Sequence, residues 1–338
     1  MVQPITRDMI DLKTDLTWQQ HMKNAIRTSQ GLASALDLPL SEIASGDATQ
    51  PFPLFAPLPF VSRMEPGNIE DPLLRQVLPV AEEKIQAEGY LKDPLKEDQF
   101  SISPGLLHKY DSRALMIING TCAIHCRYCF RRNFPYQESL QSTGDWDRAI
   151  QQIESDVSVH EIILSGGDPL TVVDDRLTEL VQRLDQIQHL QRLRIHTRLP
   201  IVIPQRITGD LIETINETRM AITIVVHANH ANEVDESVAH HLGRLSQTRA
   251  TVLNQSVLLR GINDDPSELI ELSQRLIACG TVPYYLHQLD PVIGAQHFHV
   301  PIQQGREIIK EMRTRISGYL VPRYVQERPG QPNKTPLE

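Results

Sequence analysis

The sequence predicts an α/β fold: a barrel-like sheet of six strand–helix units, preceded by a mainly helical region. Two observations lead there. From about residue 112, short apolar runs alternate with amphipathic helical runs. Alternation of that kind implies a parallel sheet with right-handed crossovers. Unusual polar residues also fall at or near the ends of the strands. In a sheet curved into a barrel such ends converge on one rim, whereas in an open doubly wound sheet only the switch-point strands converge.

The elements are justified in chain order. Residues 1–105 read as the mainly helical region. "TWQQHMKNAIRTSQGLASAL" spaces its apolar residues as a helix does. "FPLFAPLPF" cannot be regular helix, because proline fixes φ and removes a donor. "IEDPLLRQVLPVAEEKI" reads as a further helix with proline near its start. The barrel spans residues 106–318. Its strands are "RALMIIN", "HEIILSGG", "RLRIHT", "AITIVVH", "TVLNQSVLL" and "VPYYLHQL". The helices that follow them are "GDWDRAIQQIES", "DDRLTELVQRLDQI", "ITGDLIETINET", "NEVDESVAHHLGRL", "DPSELIELSQRLIAC" and "IQQGREIIKEMRTRI". Residues 319–338 form a C-terminal segment.

Composition excludes several classes. A net charge of −9 offers nucleic acid no attraction. The longest obvious apolar run, "AITIVV", falls far short of the roughly 18 residues needed to cross a bilayer. "MVQPITRDMIDLKTDLTWQQ" is mixed in charge and lacks an apolar core, so no secretory signal is expected. Four cysteines, three of them clustered, make no disulfide framework and suit a reducing compartment, hence the cytoplasm.

The cluster is "TCAIHCRYCF", with Cys122, Cys126 and Cys129 spaced C-x3-C-x2-C after the first strand. Structural zinc takes four ligands, usually as two separated pairs. The nearest fourth ligand, His125, adjoins Cys126 and is badly placed for the same tetrahedron, while Cys279 ends a helix as a small buried apolar residue. Three thiolates can instead hold three irons of a [4Fe–4S] cluster and leave the fourth open. This spacing, at this place, resembles the radical S-adenosylmethionine (SAM) superfamily. The resemblance implies a partial (β/α)6 TIM-like barrel in which SAM binds the open iron. "SGGDP" (Ser165, Gly166, Gly167, Asp168 and Pro169) brings two glycines to a strand end, as in a plain turn or a close approach to a ligand. It resembles the segment that binds the amino end of SAM, and His227 and Gln255 resemble further SAM contacts.

"EPGNIEDPLLRQVLP", "YDSRALMIINGTCAIHCRYCFRR", "RIHTRLPIVIPQRI", "LNQSVLLRGIND", "PYYLHQLD", "GAQHF" and "SGYLVPRYV" together resemble the lysine 2,3-aminomutase family over about residues 60–338. "GLLHKY", "YYLHQLD" and the short ending "NKTPLE" resemble the branch whose (R)-β-lysine modifies elongation factor P. The family implies pyridoxal 5′-phosphate (PLP) on Lys334, in "VPRYVQERPGQPNK", where the family has a glycine-richer segment. It implies a phosphate contact at Arg113 and coenzyme contacts at Tyr110 and Tyr284. Arg131 matches the arginine that binds the carboxylate of lysine, a bidentate task suited to a guanidinium. Asp290 and Glu327 match the carboxylates that receive the ε-ammonium, with glutamate where the free-lysine enzymes have aspartate.

The implied activity is an isomerase converting L-lysine to β-lysine. An external electron donor and an elongation factor P lysyl-ligase are its expected partners, and a homo-oligomer its expected state. No zinc is expected, because the cysteine-bearing extension of the free-lysine enzymes has no counterpart after Lys334. Two other readings stay open: an aminomutase for another amino acid such as arginine, and a non-catalytic iron–sulfur electron carrier.

Overall fold

The computed structural model of the protein describes residues 16–43, 52–136 and 146–338. The stretch read as lacking a signal is described only from residue 16, and residues 144–145 of the first barrel helix lie outside the described residues.

One ten-stranded sheet runs in chain order: β1 (Ser101–Ser103), β2 (Leu106–Tyr110), β3 (Arg113–Asn119), β4 (Glu161–Gly166), β5 (Arg192–Thr197), β6 (Ala221–His227), β7 (Thr251–Leu258), β8 (Val282–Gln288), β9 (Arg323–Gln326) and β10 (Thr335–Pro336). Strands β3 to β9 pair in parallel, and β1, β2 and β10 are antiparallel additions at the edges. Among the described residues, α1 (Trp18–Lys23) and α2 (Ser29–Ala35) precede the sheet, with single helical turns at Leu40–Ile43 and Leu58–Val61. Six more follow β3 to β8 in turn: α3 (Asp147–Ser155), α4 (Asp174–Asp185), α5 (Gly209–Glu217), α6 (Glu236–Ser246), α7 (Pro266–Ala278) and α8 (Ile302–Arg315). Their starts are written in the sequence. Thr208, Asp235 and Asp265 each accept a first-turn N–H, and Pro266 opens α7 where no donor is needed.

Strand order equals chain order, so the parallel sheet has no point at which its winding reverses. With right-handed crossovers throughout, the helices must share one face and the sheet must curl away from them. The edges β1 and β10 do not meet, so the barrel is partial. Burial follows the curl. β4 alternates strictly between half-buried and buried residues, and β5 and β7 do so after an exposed first residue. Ile162, Leu164, Leu193, Ile195 and Val252 belong to the main apolar core, while Ile163, Ser165, Arg194, His196, Gln255 and Val257 face a central cavity.

Two expectations are corrected. The N-terminal run is two helices, because Ile26 leaves the helix to exchange backbone hydrogen bonds with Ala56 at 2.8 and 2.9 Å, and Thr28 caps a new start. "IEDPLLRQVLPVAEEKI" is a series of turns ending in a 3-10 turn at Ala81–Lys84. There Asp71 takes the N–H groups of Leu73 and Leu74, and Pro79 bars helix at the residue before it. Within the C-terminal segment, β9 and β10 extend the sheet. Among the described residues no helix is long and apolar enough to cross a membrane.

Candidate active site

The curl encloses a cavity of about 1900 Å³. Its wall includes the candidate site residues Cys122, Cys126, Cys129, Ser165, Gly166, Gly167, Asp168, His227, Gln255, Tyr110, Arg113, Tyr284, Arg131, Asp290, Glu327 and Lys334.

The cysteine loop leaves β3 and is held from outside the barrel. Arg127 N–H donates to Gln76 O at 2.8 Å, and His125 N–H to Phe55 O at 3.0 Å. The Arg127 guanidinium is fully buried and donates to Glu83 Oε1 at 2.7 Å and Oε2 at 2.5 Å; Arg132 pairs with the same carboxylate. The two guanidinium groups hold Glu83 below the usual carboxylate range against the opposing cost of its burial. The N-terminal region thus fixes the loop that presents the thiols.

All three loop cysteines are free and partly exposed to the cavity. Burial, with the neighbouring thiols second, pushes Cys122 up, and the same causes push Cys129 to about 12. Such thiols ionise only against a strong positive centre. Among the described residues no three His, Cys, Asp or Glu side chains form a single-ion cage. Three thiolates on one cubane each bind a different iron, and so stand further apart than the ligands of one ion. The donor set fits a [4Fe–4S] cluster.

The glycines of "SGGDP" serve first the chain's own close approach. A Cβ on Gly166, whose φ is +132°, would lie 2.3 Å from Asn119 O, and one on Gly167 2.3 Å from Thr121 O. That contact seats the end of β4 against the cysteine loop. Asp168 is buried, and its carboxylate accepts from Thr197 Oγ1, Leu170 N, Arg198 N and Leu199 N at 2.7–3.0 Å. It fastens β4 to β5 and has little capacity left for a ligand. His227 stands against Tyr128, with Nε2 3.1 Å from its hydroxyl. Burial and then the Arg198 charge bring His227 down to about 3, so it is neutral.

At the other end of the cavity Lys334 Nζ donates to Glu327 Oε2 at 2.8 Å. Lys109 Nζ and Tyr110 OH both donate to Oε1 of the same glutamate. These partners outweigh burial and bring Glu327 down to about 2. Asp290 lies near enough to feel Lys334 and Glu327, yet burial dominates and pushes it up to about 7. Lys334 owes its place to its neighbours. Leu337 is buried, its N–H donates to Tyr324 O at 2.9 Å, and Tyr324 N–H donates to Glu338 Oε1 at 3.1 Å. Arg113 stacks 4.4 Å over the Tyr110 ring, and Tyr284 lies 3.8 Å from Tyr285. Arg194 and Arg323 act electrostatically on Tyr284. A lysine amine, flat aromatic rings and a group of arginines fit a phosphorylated pyridine aldehyde.

Arg131 is half committed. Its Nε and Nη2 donate to Glu97 at 2.9 and 2.7 Å, and its Nη1 to Ser165 Oγ at 2.8 Å. A guanidinium carries five N–H groups, so one remains on each terminal nitrogen. Glu97, Lys109, Arg194, Arg198 and Arg323 were not found in the sequence. Arg198 had a signal, as a charge beside the apolar run "LPIVIP"; the others had none.

Comparison with known proteins adds to the geometry. Residues 112–197 match the family model for a 4Fe-4S single cluster domain. The chain is similar to L-lysine 2,3-aminomutase of Escherichia coli, 46% identical over 95% of this chain and 94% of that one. The enzyme of the same description from Haemophilus influenzae is 45% identical over 96% of each chain. That of Clostridium subterminale is 35% identical over 95% of this chain and 77% of its own.

The buried ion triad carries a prediction. Glu83→Ala strands two guanidinium groups, one of them fully buried, which costs about 3–5 kcal/mol. Thermal unfolding should drop clearly, and the iron taken up per chain on anaerobic reconstitution should fall with it.

Proposed function

Because the chain belongs to the lysine 2,3-aminomutase family, we propose that it moves the α-amino group of L-lysine to C3 with PLP held at Lys334, and that Asp290 and Glu327 select the substrate. As a member of that family it is an isomerase. The observation that carries the reading is the meeting of Lys334, Arg131, Asp290, Glu327 and the three thiols in one cavity.

When bound, the cluster and SAM supply a carbon radical able to take hydrogen from C3, and PLP supplies a π-system that eases the shift of nitrogen between neighbouring carbons. The chain supplies placement. The two free N–H groups of Arg131 receive the lysine carboxylate, and Glu97 holds the guanidinium plane. Tyr110, Arg113 and Tyr284 form the bed for PLP, with Arg194 and Arg323 beside them. Ser165, Gly166, Gly167, His227 and Gln255 wall the SAM side, and Asp168 keeps that wall in place. Ile124, Phe130, Val257 and Leu289 line the space between and limit water.

The ammonium of Lys334 now rests on Glu327, where we place the substrate's ε-ammonium. Once the amine of Lys334 is engaged by PLP, that contact is open to a second ammonium. A glutamate side chain would meet two carboxylates here and is rejected. We infer further that β-lysine goes to elongation factor P through a ligase, with an external one-electron donor feeding the cluster. The support is the branch resemblance in "GLLHKY" and "YYLHQLD", whose Lys109 and His287 both face the cavity. A cytoplasmic homo-oligomer belongs to the same proposal.

Anaerobic protein given cluster, PLP, SAM, a reductant and L-lysine should form β-lysine, read by chiral chromatography. Parallel arginine and glutamate should stay unchanged, and Cys126→Ala and Lys334→Ala should form none. An intact cluster that cleaves SAM but yields no β-lysine would overturn the substrate assignment.

Asp290 adds a pH prediction. Its carboxyl is raised above the ordinary range, so it is neutral below about 7 and charged above. The kcat/KM for lysine should therefore rise by up to roughly tenfold per pH unit below that point and level off above it. Asp290→Asn should give a low, flat profile.

A further inference from the structure

Arg198 follows β5 and has no part in the reading above. Its side chain is buried. Nη1 donates to Cys126 Sγ at 2.6 Å and to Tyr128 OH at 2.5 Å. Nη2 donates to Gln76 Oε1 at 2.7 Å and to Glu233 Oε2 at 3.0 Å. A cation is thus in direct contact with one of the three candidate cluster thiols.

Its position is over-determined. Asp168 holds the Arg198 N–H at 2.7 Å. Glu233 accepts Asn229 N–H at 2.8 Å, His230 N–H at 3.1 Å and Gln76 Nε2 at 3.1 Å, and Tyr128 OH receives Asn229 Nδ2 at 2.7 Å. Glu233 stays ionised in spite of full burial, chiefly through Arg198. The Arg198 charge stands between a sulfur on one side and a carboxylate on the other.

Reduction of a [4Fe–4S] cluster adds one electron, and so one negative charge, to a buried site. Hydrogen bonds to the sulfurs and the net local charge set how readily that happens. A cation against Sγ favours the reduced form, and the weak screening of the interior magnifies the effect. A carboxylate further off opposes it. We propose that Arg198 sets the reduction potential of the cluster through Cys126, and that Glu233 offsets part of its charge. Arg198 is a positioning residue, for it reaches the cluster through the thiolate. The inference rests on the cluster reading, but not on the substrate or on PLP.

The test is a redox titration followed by the electron paramagnetic resonance of the reduced cluster. It uses the full chain, reconstituted anaerobically, with iron and sulfide counted in every sample. Arg198→Gln should move the midpoint to more negative potential by a factor of ten or more in the reduction equilibrium, about 59 mV for one electron. Glu233→Gln should move it the other way. A loosened cavity would not give shifts of opposite sign. Unmoved midpoints in variants with full clusters, or shifts of the same sign, would overturn the proposal. If Arg198→Gln holds no cluster, the sign of the Glu233→Gln shift decides alone. A wild-type chain that takes up no iron and sulfide overturns the cluster reading and this inference together.

Discussion

A parallel sheet wound always in one direction has to curl. Strands β3 to β9 add in chain order, and right-handed crossovers leave the helices one face to cover. The other face curves inward and becomes the wall of a cavity. Strand residues alternate between the two faces, so each strand contributes every second side chain to the interior. That is why residues as far apart as Ser165, His196, Gln255 and His287 line one space. A reversal of winding anywhere would have spread them over both faces of an open sheet.

The cavity is sorted by charge. One end has the three thiols, of which burial keeps Cys122 and Cys129 from ionising, and the guanidinium of Arg198 lies against Cys126. The other end has Glu327, bound by Lys334, Lys109 and Tyr110, and the uneasy carboxyl of Asp290. An iron cluster there would supply the positive centre that Cys122 and Cys129 need in order to ionise. The lysine end already holds the Lys334 ammonium on the Glu327 carboxylate, where we propose that the substrate's ε-ammonium binds. Arg131 stands between, with Glu97 on one edge and two N–H groups to spare.

Periodicity made the barrel legible. The runs "RALMIIN", "RLRIHT" and "AITIVVH" coincide with β3, β5 and β6 residue for residue. The N-terminal region was read less well because its shape is set by long-range partners. Ile26 pairs with Ala56, and Glu83 with Arg127, partners that local pattern does not reveal. Cys122, Cys126 and Cys129 announced themselves by spacing. Lys334 looked like a loose terminal residue and was identified by resemblance alone; the structure adds that Leu337 and Glu338 strap it down on β9. Glu97 and Lys109 could not be found, because an ion pair across the fold leaves no mark in sequence.

We propose that the amine of Lys334 serves PLP and lends its place on Glu327 to the substrate. The most direct measurement adds PLP to the full-length protein without SAM, reduces with borohydride, and maps the adduct by peptide mass spectrometry. A pyridoxyl group on Lys334, displaced when excess L-lysine is present before reduction, is the expected result. A group on Lys109 or another lysine, or a Lys334 adduct indifferent to L-lysine, would contradict it.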